Sequence, residues 1–156
     1  MGVTRKISRD TPLAELTLRK YEKPSLKGRG LVRKLCLSMG LLQPGDSRDV
    51  IVDVFMVLLD SKEELTSTEV EKRVKQARKQ ADLPLLGIAP SNIRRQLLRL
   101  RDLFFVEKLA NNYRIAENEL LHELFTEKVE SFLLGATLKR VKEYLRAVDK
   151  EFLAKK

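Results

Sequence analysis

The side chains of this 156-residue sequence that could do chemistry are chiefly arginines, lysines and amides on helical segments. Cys36 and His122 are the only residues of their kinds, which excludes an internal disulfide and leaves too few cysteine and histidine ligands for a zinc site. The carboxylates form no recognisable acid–base pair or metal cluster, and no glycine-rich phosphate loop is present. We therefore expect no catalytic residues, no metal and no cofactor, and the sequence does not predict an enzyme.

Basic side chains outnumber acidic ones by 31 to 22, and the net charge is +9 at pH 7. Such an excess favours a polyanionic partner: DNA, RNA or an anionic membrane surface. The longest nearly uncharged run, residues 50–59, is about half the roughly 20 residues that cross a bilayer. The first eleven residues lack the apolar stretch of a secretory signal. These features predict a cytoplasmic protein, associated with the nucleoid if its partner is DNA, that makes no membrane contact.

Apolar side chains repeat at helical spacing through most of the chain, which predicts a mainly α fold. The Thr-Pro pair at 11–12 is typical of a helix start and predicts a short helix over 11–21. A second helix is expected over 31–42. The pattern is helical again from Glu117 to the end, with Gly135 as the candidate for a break.

The middle of the chain carries the clearest helical stripes. Ser47 is expected to cap the core helix, and Thr66 with Glu69 has the spacing of a capping box. Asn111 and Asn112 are expected to form the tight turn of a hairpin. The elements predicted there, in order, are a helix over 47–62, an extended piece at Leu65, a helix over 67–81, a helix over 90–103 and a hairpin over 104–115.

This order of elements, together with the stretch SNIRRQLLRLRDLFFVEKLANNYRI over 91–115, resembles the winged helix-turn-helix superfamily in its archaeal and bacterial regulator branch. In that family a polar, Arg-rich helix start closed by Leu-x-x-Leu-x-x-Leu is the recognition helix, and the wing follows it. Phe104 stands where many members have glycine. The resemblance implies three helices and a short β-hairpin. It covers residues 47–115, which are expected to form a winged-helix domain. On either side we expect a basic N-terminal arm with helices at 1–46 and a C-terminal helical dimerisation region at 116–156.

A helix can read DNA when one face packs on its own domain and the opposite face carries Arg, Asn and Gln toward the major groove. The helix over 90–103 has that division. The sequence also predicts an outward basic face on the helix over 67–81, at Lys72, Arg73, Lys75, Arg78 and Lys79. The base-reading candidates are Asn92, Arg95, Gln96 and Arg99. The candidates for phosphate and wing contacts are Lys72, Lys75, Arg78, Lys79, Ser91, Arg94, Lys108, Asn111 and Arg114.

Each of these basic faces has a plainer interpretation as a solvated surface. In the helix over 67–81, Glu69 and Glu71 can pair locally with Arg73 and Lys75. Cys36 lies on an apolar helix and is expected to be a small buried hydrophobic residue.

The C-terminal region carries an apolar seam with the spacing of about two heptads. We expect this seam to form a homodimer interface, and packing within one chain is the alternative. The predicted interface residues are Leu138, Val141, Leu145, Val148 and Phe152.

The function expected from the sequence is sequence-dependent binding of double-stranded DNA by a homodimer that regulates transcription. Two alternatives stay open at this point. One is a winged-helix interaction subunit of a replication, transcription or chromatin assembly, whose partner is a protein. The other is an RNA-binding protein.

Overall fold

The periodic apolar residues form five helices and three short strands in the part of the chain that the computed structural model describes, Asp10 and residues 16–153. The fold is mainly helical, as the sequence predicts, with a small antiparallel sheet and a long C-terminal helix. The helices are α1 (Gly28–Ser38), α2 (Val50–Asp60), α3 (Ser67–Gln80), α4 (Pro90–Asp102) and α5, which begins at Leu121 and runs to Leu153. The strands are β1 (Leu65–Thr66), β2 (Val106–Leu109) and β3 (Asn112–Ile115).

Helix α2 lies at the centre because its side chains are apolar on almost every side. It packs against α1, α3 and α4. Phe55 of α2 stacks on Phe105, with ring centroids 5.8 Å apart, and so joins the helices to the hairpin. The segment before α2 contributes Cys36 of α1 and Leu42 to the same core. The N-terminal helix is therefore part of the hydrophobic core that surrounds α2.

The sheet has the strand order β1-β3-β2, and all its pairs are antiparallel. Leu65 of β1 lies opposite Tyr113, and Val106 of β2 lies opposite Ile115. At the last residue of β1, the hydroxyl of Thr66 accepts a 3.1 Å hydrogen bond from the backbone amide of Glu69, and the Glu69 carboxylate accepts one from the backbone amide of Thr66. The predicted capping box is confirmed, and it fixes the point where β1 gives way to α3.

Helix α5 continues without a break through Gly135, whose φ of −60° and ψ of −46° are helical. Its α-helical segments are Leu121–Leu124 and Gly135–Val148, and its turns are widened to π-helical geometry at Phe125–Leu134 and Asp149–Leu153. The first part packs on the core through Leu124, which is fully buried. No residue from Gly135 to Leu153 is buried.

The predicted helix over 11–21 is wrong where the structure describes it, because residues 16–21 are not helical and residues 11–15 lie outside the described part. This segment instead bonds to the last turn of α1. The Thr17 amide donates to the Ser38 carbonyl, and the Arg19 guanidinium donates to the Leu37 carbonyl at 3.1 Å. Carbonyls at a helix C-terminus lack partners inside their own helix, and the segment supplies donors to them.

Other predicted boundaries also move. The helix predicted over 31–42 begins and ends earlier, since α1 spans Gly28–Ser38. The C-terminal helix begins at Leu121 and not at Glu117, because Glu117 has a φ of +54° within a short 3-10 helix at Ala116–Asn118.

Helix α2 starts at Val50 and not at Ser47, and its N-cap residue Asp49 makes no capping bond because its carboxylate is paired with Arg29 and Arg78. The hairpin turn lies at Ala110 and Asn111, one residue before the predicted asparagine pair. Ala110 has a φ of +57°, whereas Asn112 belongs to β3.

Substitution of Ala110 by glycine is expected to raise the free energy of unfolding by about 1 kcal/mol, because glycine enters the left-handed region without a Cβ clash. Ala110 is exposed, so little packing is lost. Urea unfolding followed by circular dichroism measures the change. The matched control is Ala81→Gly, since Ala81 is exposed with a φ of −89°. That variant should lose about 0.5–1 kcal/mol, and a shift of both variants in the same direction would contradict the prediction.

Candidate nucleic-acid interface

Helix α4 divides cleanly into a buried and an exposed face. Ile93, Leu97 and Leu100 are fully buried against the core. Arg94 and Arg95 lie on the exposed side, and neither makes a hydrogen bond or an ion pair with any described residue. Ser91 at the start of the helix is also exposed. The exposed N-terminal half of α4 therefore presents two guanidinium groups to the solvent.

Three of the four base-reading candidates form a hydrogen-bonded ladder along one flank of α4. The Asn92 amide donates to the Gly87 carbonyl at 2.6 Å and accepts from the Gln96 amide at 3.0 Å. Arg99 donates to the Gln96 side-chain oxygen at 2.9 Å and to the Leu41 carbonyl at 2.8 Å. This ladder ties α4 to the segments that precede α2 and α4.

The ladder corrects one sequence-based assignment. Gln96 was assigned to the exposed polar face of its helix, but its exposed fraction is only 8%. Its neighbours in the ladder satisfy both its amide nitrogen and its carbonyl oxygen. A buried, satisfied amide would have to exchange these bonds before it could read a base.

The outward face of α3 is basic, but it is smaller than the sequence predicts. Lys72, Arg73 and Lys79 are exposed. Lys75 pairs with Glu71 at 3.1 Å, one helical turn earlier. Arg78 is not on this face at all, since only 1% of it is exposed. The prediction that Arg78 lies on the outward basic face is wrong.

Arg78 is the centre of a buried ion cluster. Its NH1 group lies 2.5 Å from the Asp53 carboxylate and 3.2 Å from the Asp49 carboxylate. Its Nε donates to the Pro84 carbonyl at 2.6 Å. Arg29 of α1 reaches the same two carboxylates, at 3.1 and 3.2 Å. A guanidinium that is buried in this way positions the helices and is not available to a phosphate.

The β2–β3 hairpin, predicted as the wing, carries three of the candidate contacts. Lys108 and Asn111 are exposed, with the Lys108 amine 5.7 Å from the Tyr113 ring. Arg114 is paired with Glu107 at 2.6 Å. The hydrogen bond from the Glu117 amide lowers the pKa of the Glu107 carboxyl more than partial burial raises it, and Arg114 lowers it further. Glu107 therefore offsets the charge of Arg114, and Lys108 carries the charge of the hairpin tip.

Arg48, two residues before the start of α2, is an exposed arginine that is not among the sequence-based candidates. It lines a cleft beside α4 together with Arg95 and Arg99. The sequence signal was the polar run QPGDSRD, which marks an exposed loop but not the helix that the loop will face.

The C-terminal seam is exposed in the single chain. All five predicted interface residues are between 50% and 70% exposed: Leu138, Val141, Leu145, Val148 and Phe152. In contrast, Cys36 is fully buried, which confirms the expectation of a small core residue. Burial raises the pKa of its thiol to about 12, although nearby Arg99 lowers it in part.

Comparison of the chain with protein-family models, with curated proteins and with solved structures finds no match. In residues 16–153, no helix combines the length and apolar character needed to cross a membrane. Within the same described residues, no group of three or more His, Cys, Asp or Glu side chains is arranged to hold a metal ion.

Replacement of Arg78 by alanine is expected to lower the free energy of unfolding by about 3–5 kcal/mol, because it leaves buried carboxylates without their main partner. Urea unfolding of the purified variant measures this loss. Lys79→Ala is the control, since Lys79 is the next residue and is exposed. It should change the stability by no more than about 0.5 kcal/mol. Equal stability of the two variants would show that the cluster is not needed for the fold.

Proposed function

We propose that this chain is a winged helix-turn-helix protein that binds double-stranded DNA as a homodimer and regulates transcription. The order α2, β1, α3, α4, β2, β3 supports this proposal, since it is the order of helices, extended piece and hairpin that the family resemblance implies. The observation that carries it is the pair Arg94 and Arg95. Both are exposed on the face of α4 opposite its buried stripe, and both lack a partner among the described residues.

An exposed arginine on a helix suits major-groove recognition because its planar fork can donate two hydrogen bonds to guanine O6 and N7. In this proposal Arg94 and Arg95 are the base-reading residues. Asn92, Gln96 and Arg99 have a different task, since their ladder holds α4 at a fixed angle on the core. This division differs from the sequence-based one, which placed Arg94 among the phosphate contacts.

The DNA backbone would be held by the charges around α4. The start of α4 has Pro90 at its first turn and no acidic residue there, and no side chain caps it, so its amides suit a phosphate. The exposed amines of Lys72 and Lys79 and the guanidinium of Arg73 lie on α3, which packs against α4. Lys108 at the hairpin supplies a further positive charge.

The homodimer would form through the distal part of α5. The α-helical residues Gly135–Val148 alone extend over about 21 Å at 1.5 Å per residue. The apolar seam on this part is at least half exposed, and a soluble chain normally covers so long an apolar patch. A second copy with the same seam covers it and supplies a second reading helix, so that two half-sites about 34 Å apart can be bound.

A protein partner for the same face of α4 is the second candidate function. It is favoured by Leu98, which is 49% exposed on the side of the helix that carries Arg94 and Arg95. A half-exposed leucine between arginines is typical of the centre of a small protein interface as well as of a contact to a thymine methyl group.

Duplex DNA affinity is expected to fall steeply with salt, by roughly 0.9 log units per phosphate contact for each log unit of salt. On a preferred site selected from random fragments, Arg95→Ala should cost about 1–3 kcal/mol, with little change on random DNA. Lys72→Ala should weaken both DNAs alike, and Arg146→Ala on the far part of α5 should change neither. Fluorescence anisotropy measures all four proteins.

The same titration separates the alternatives. Affinity that hardly changes between low and moderate salt would remove DNA as the partner and leave the protein-interaction candidate. Displacement of the duplex by structured RNA at equal concentration would favour RNA binding. Equal losses for Arg95→Ala on both DNAs would show that α4 positions the protein without reading a sequence.

Leu145→Glu is expected to convert a dimer into a monomer, because it places a charge in the middle of the apolar seam. DNA binding should weaken by tenfold or more, since two linked half-sites bind more tightly than one through their effective concentration. Light scattering reports the mass, and anisotropy reports the affinity. Ala147→Glu is the matched control, because it adds the same charge at an exposed position beside the seam. A monomeric unmodified chain at micromolar concentration would contradict the dimer.

A further inference from the structure

A cleft of about 790 Å³ lies beside α4, between the loop that leads into α2 and the loop that leads into α4. Its volume falls in the range of sites for small organic molecules, about 300–1,000 Å³. Val50 and Ile51 at the start of α2 form part of its apolar wall, and Leu85 and Leu86 line it from the other loop. Both of these leucines are more than 40% exposed, so part of the apolar lining is open to solvent.

The charged groups of the cleft are predominantly positive. Of the described residues that line it, three are arginines, Arg48, Arg95 and Arg99, and one is an aspartate, Asp46. The Asp46 carboxylate already accepts a 3.0 Å hydrogen bond from the backbone amide of Gln43. Arg48 and Arg95 make no hydrogen bond or ion pair with any described residue, so both keep their donors for a ligand.

The wall of the cleft is fixed before any ligand arrives. Gly87 has a φ of +74°, and a Cβ there would lie 3.2 Å from the Asn92 amide nitrogen and 3.5 Å from a Val50 methyl. Only glycine fits both this conformation and this close approach. The Asn92–Gln96–Arg99 ladder holds the α4 side of the cleft in place. Ligand binding would therefore cost little conformational entropy in these side chains.

We propose that this cleft binds a small organic anion, a phosphate or a carboxylate attached to an apolar group. Arg48 and Arg95 would hold the anionic group, because a guanidinium fork matches both kinds of anion in a bidentate way. The apolar group would lie against Leu85 and Leu86. Both parts of the ligand are needed, since the cleft combines unpaired positive charge with an exposed apolar lining.

The position of Arg95 gives this site a regulatory consequence, which rests on the proposed DNA binding. Arg95 lines the cleft and also belongs to the exposed face of α4. A ligand that holds its guanidinium removes that group from DNA, so ligand and DNA compete. By linkage, DNA must weaken ligand binding by the same factor as ligand weakens DNA binding.

The first test uses the full chain without DNA, by isothermal titration calorimetry at constant ionic strength. The probes are phenyl phosphate and benzoate, with inorganic phosphate and phenol as the two halves of the first probe. We expect saturable binding of one of the two organic anions, with one molecule per chain, and at least tenfold weaker binding of both halves. Phenyl phosphate and benzoate then distinguish a phosphate ligand from a carboxylate ligand.

Three variants locate the site. Arg48→Gln and Arg95→Gln should each weaken binding of the active probe by about tenfold or more, the loss expected for one charge-assisted contact. Arg146→Gln removes the same charge from α5 outside the cleft and should leave binding unchanged. Absence of saturable binding for both organic anions would overturn the proposal. An equal loss in Arg146→Gln would do the same, because it would show only an effect of net charge.

The second test adds DNA. The active probe should raise the apparent Kd for duplex DNA in the unmodified chain, and the same rise in Arg48→Gln should need about tenfold more probe. Inorganic phosphate at equal ionic strength is the control. A probe that binds in the first test but leaves the Kd for DNA unchanged would overturn the competition. A chain that binds no DNA at all would remove the proposed function, and the first test would still decide the anion site.

Discussion

The buried ion cluster around Arg78 is the interaction on which the arrangement of the helices depends. Arg78 of α3 meets Asp49 and Asp53 at the start of α2, and Arg29 of α1 reaches the same carboxylates. Arg33 also lies 3.9 Å from the Asp49 carboxylate. Removal of Arg78 therefore leaves the buried Asp53 carboxylate with only the partly exposed Arg29 as its partner. Arg78 also binds the Pro84 carbonyl in the loop that leads to α4. The cluster therefore joins α1, α2 and α3, and Arg78 also ties it to the loop that leads to α4.

The ladder on α4 extends this control to the candidate interface. Because Arg99 binds the Leu41 carbonyl and Asn92 binds the Gly87 carbonyl, α4 is fixed both to the segment that leads into α2 and to the loop that leads into α4. The segment before α2 is consequently more than a basic arm in front of a domain. It supplies core residues, one wall of the cleft and the carbonyl that holds Arg99. An interface on the exposed face of α4 is built on a helix that its own polar flank has already oriented.

Sequence periodicity predicted the central helices, the hairpin and the capping box, because apolar spacing and local hydrogen bonds determine them. It misplaced Arg78, although Val70, Val74 and Arg78 are spaced four residues apart and so continue one buried stripe. Asp53 within an otherwise apolar helix was the matching signal. A rule that assigns every charge to the solvent cannot find a pair that is buried together. The helix predicted over 11–21 is wrong at residues 16–21 because this segment donates hydrogen bonds to carbonyls at the end of α1. Such contacts between distant segments produce no periodic pattern in the sequence.

The net charge of +9 overstates the positive charge that is available to a partner, because several arginines already make ion pairs or hydrogen bonds within the chain. Arg29 and Arg78 neutralise buried aspartates, Arg114 pairs with Glu107, and Arg99 holds a carbonyl and an amide. Arg48, Arg94 and Arg95 make no such contact with the described residues, and they lie on or beside the N-terminal half of α4. The charge that this surface offers to a partner is therefore that of these three groups and not the total charge. In the two proposals made above, DNA and the small anion share one guanidinium, because Arg95 belongs to both the outward face and the cleft.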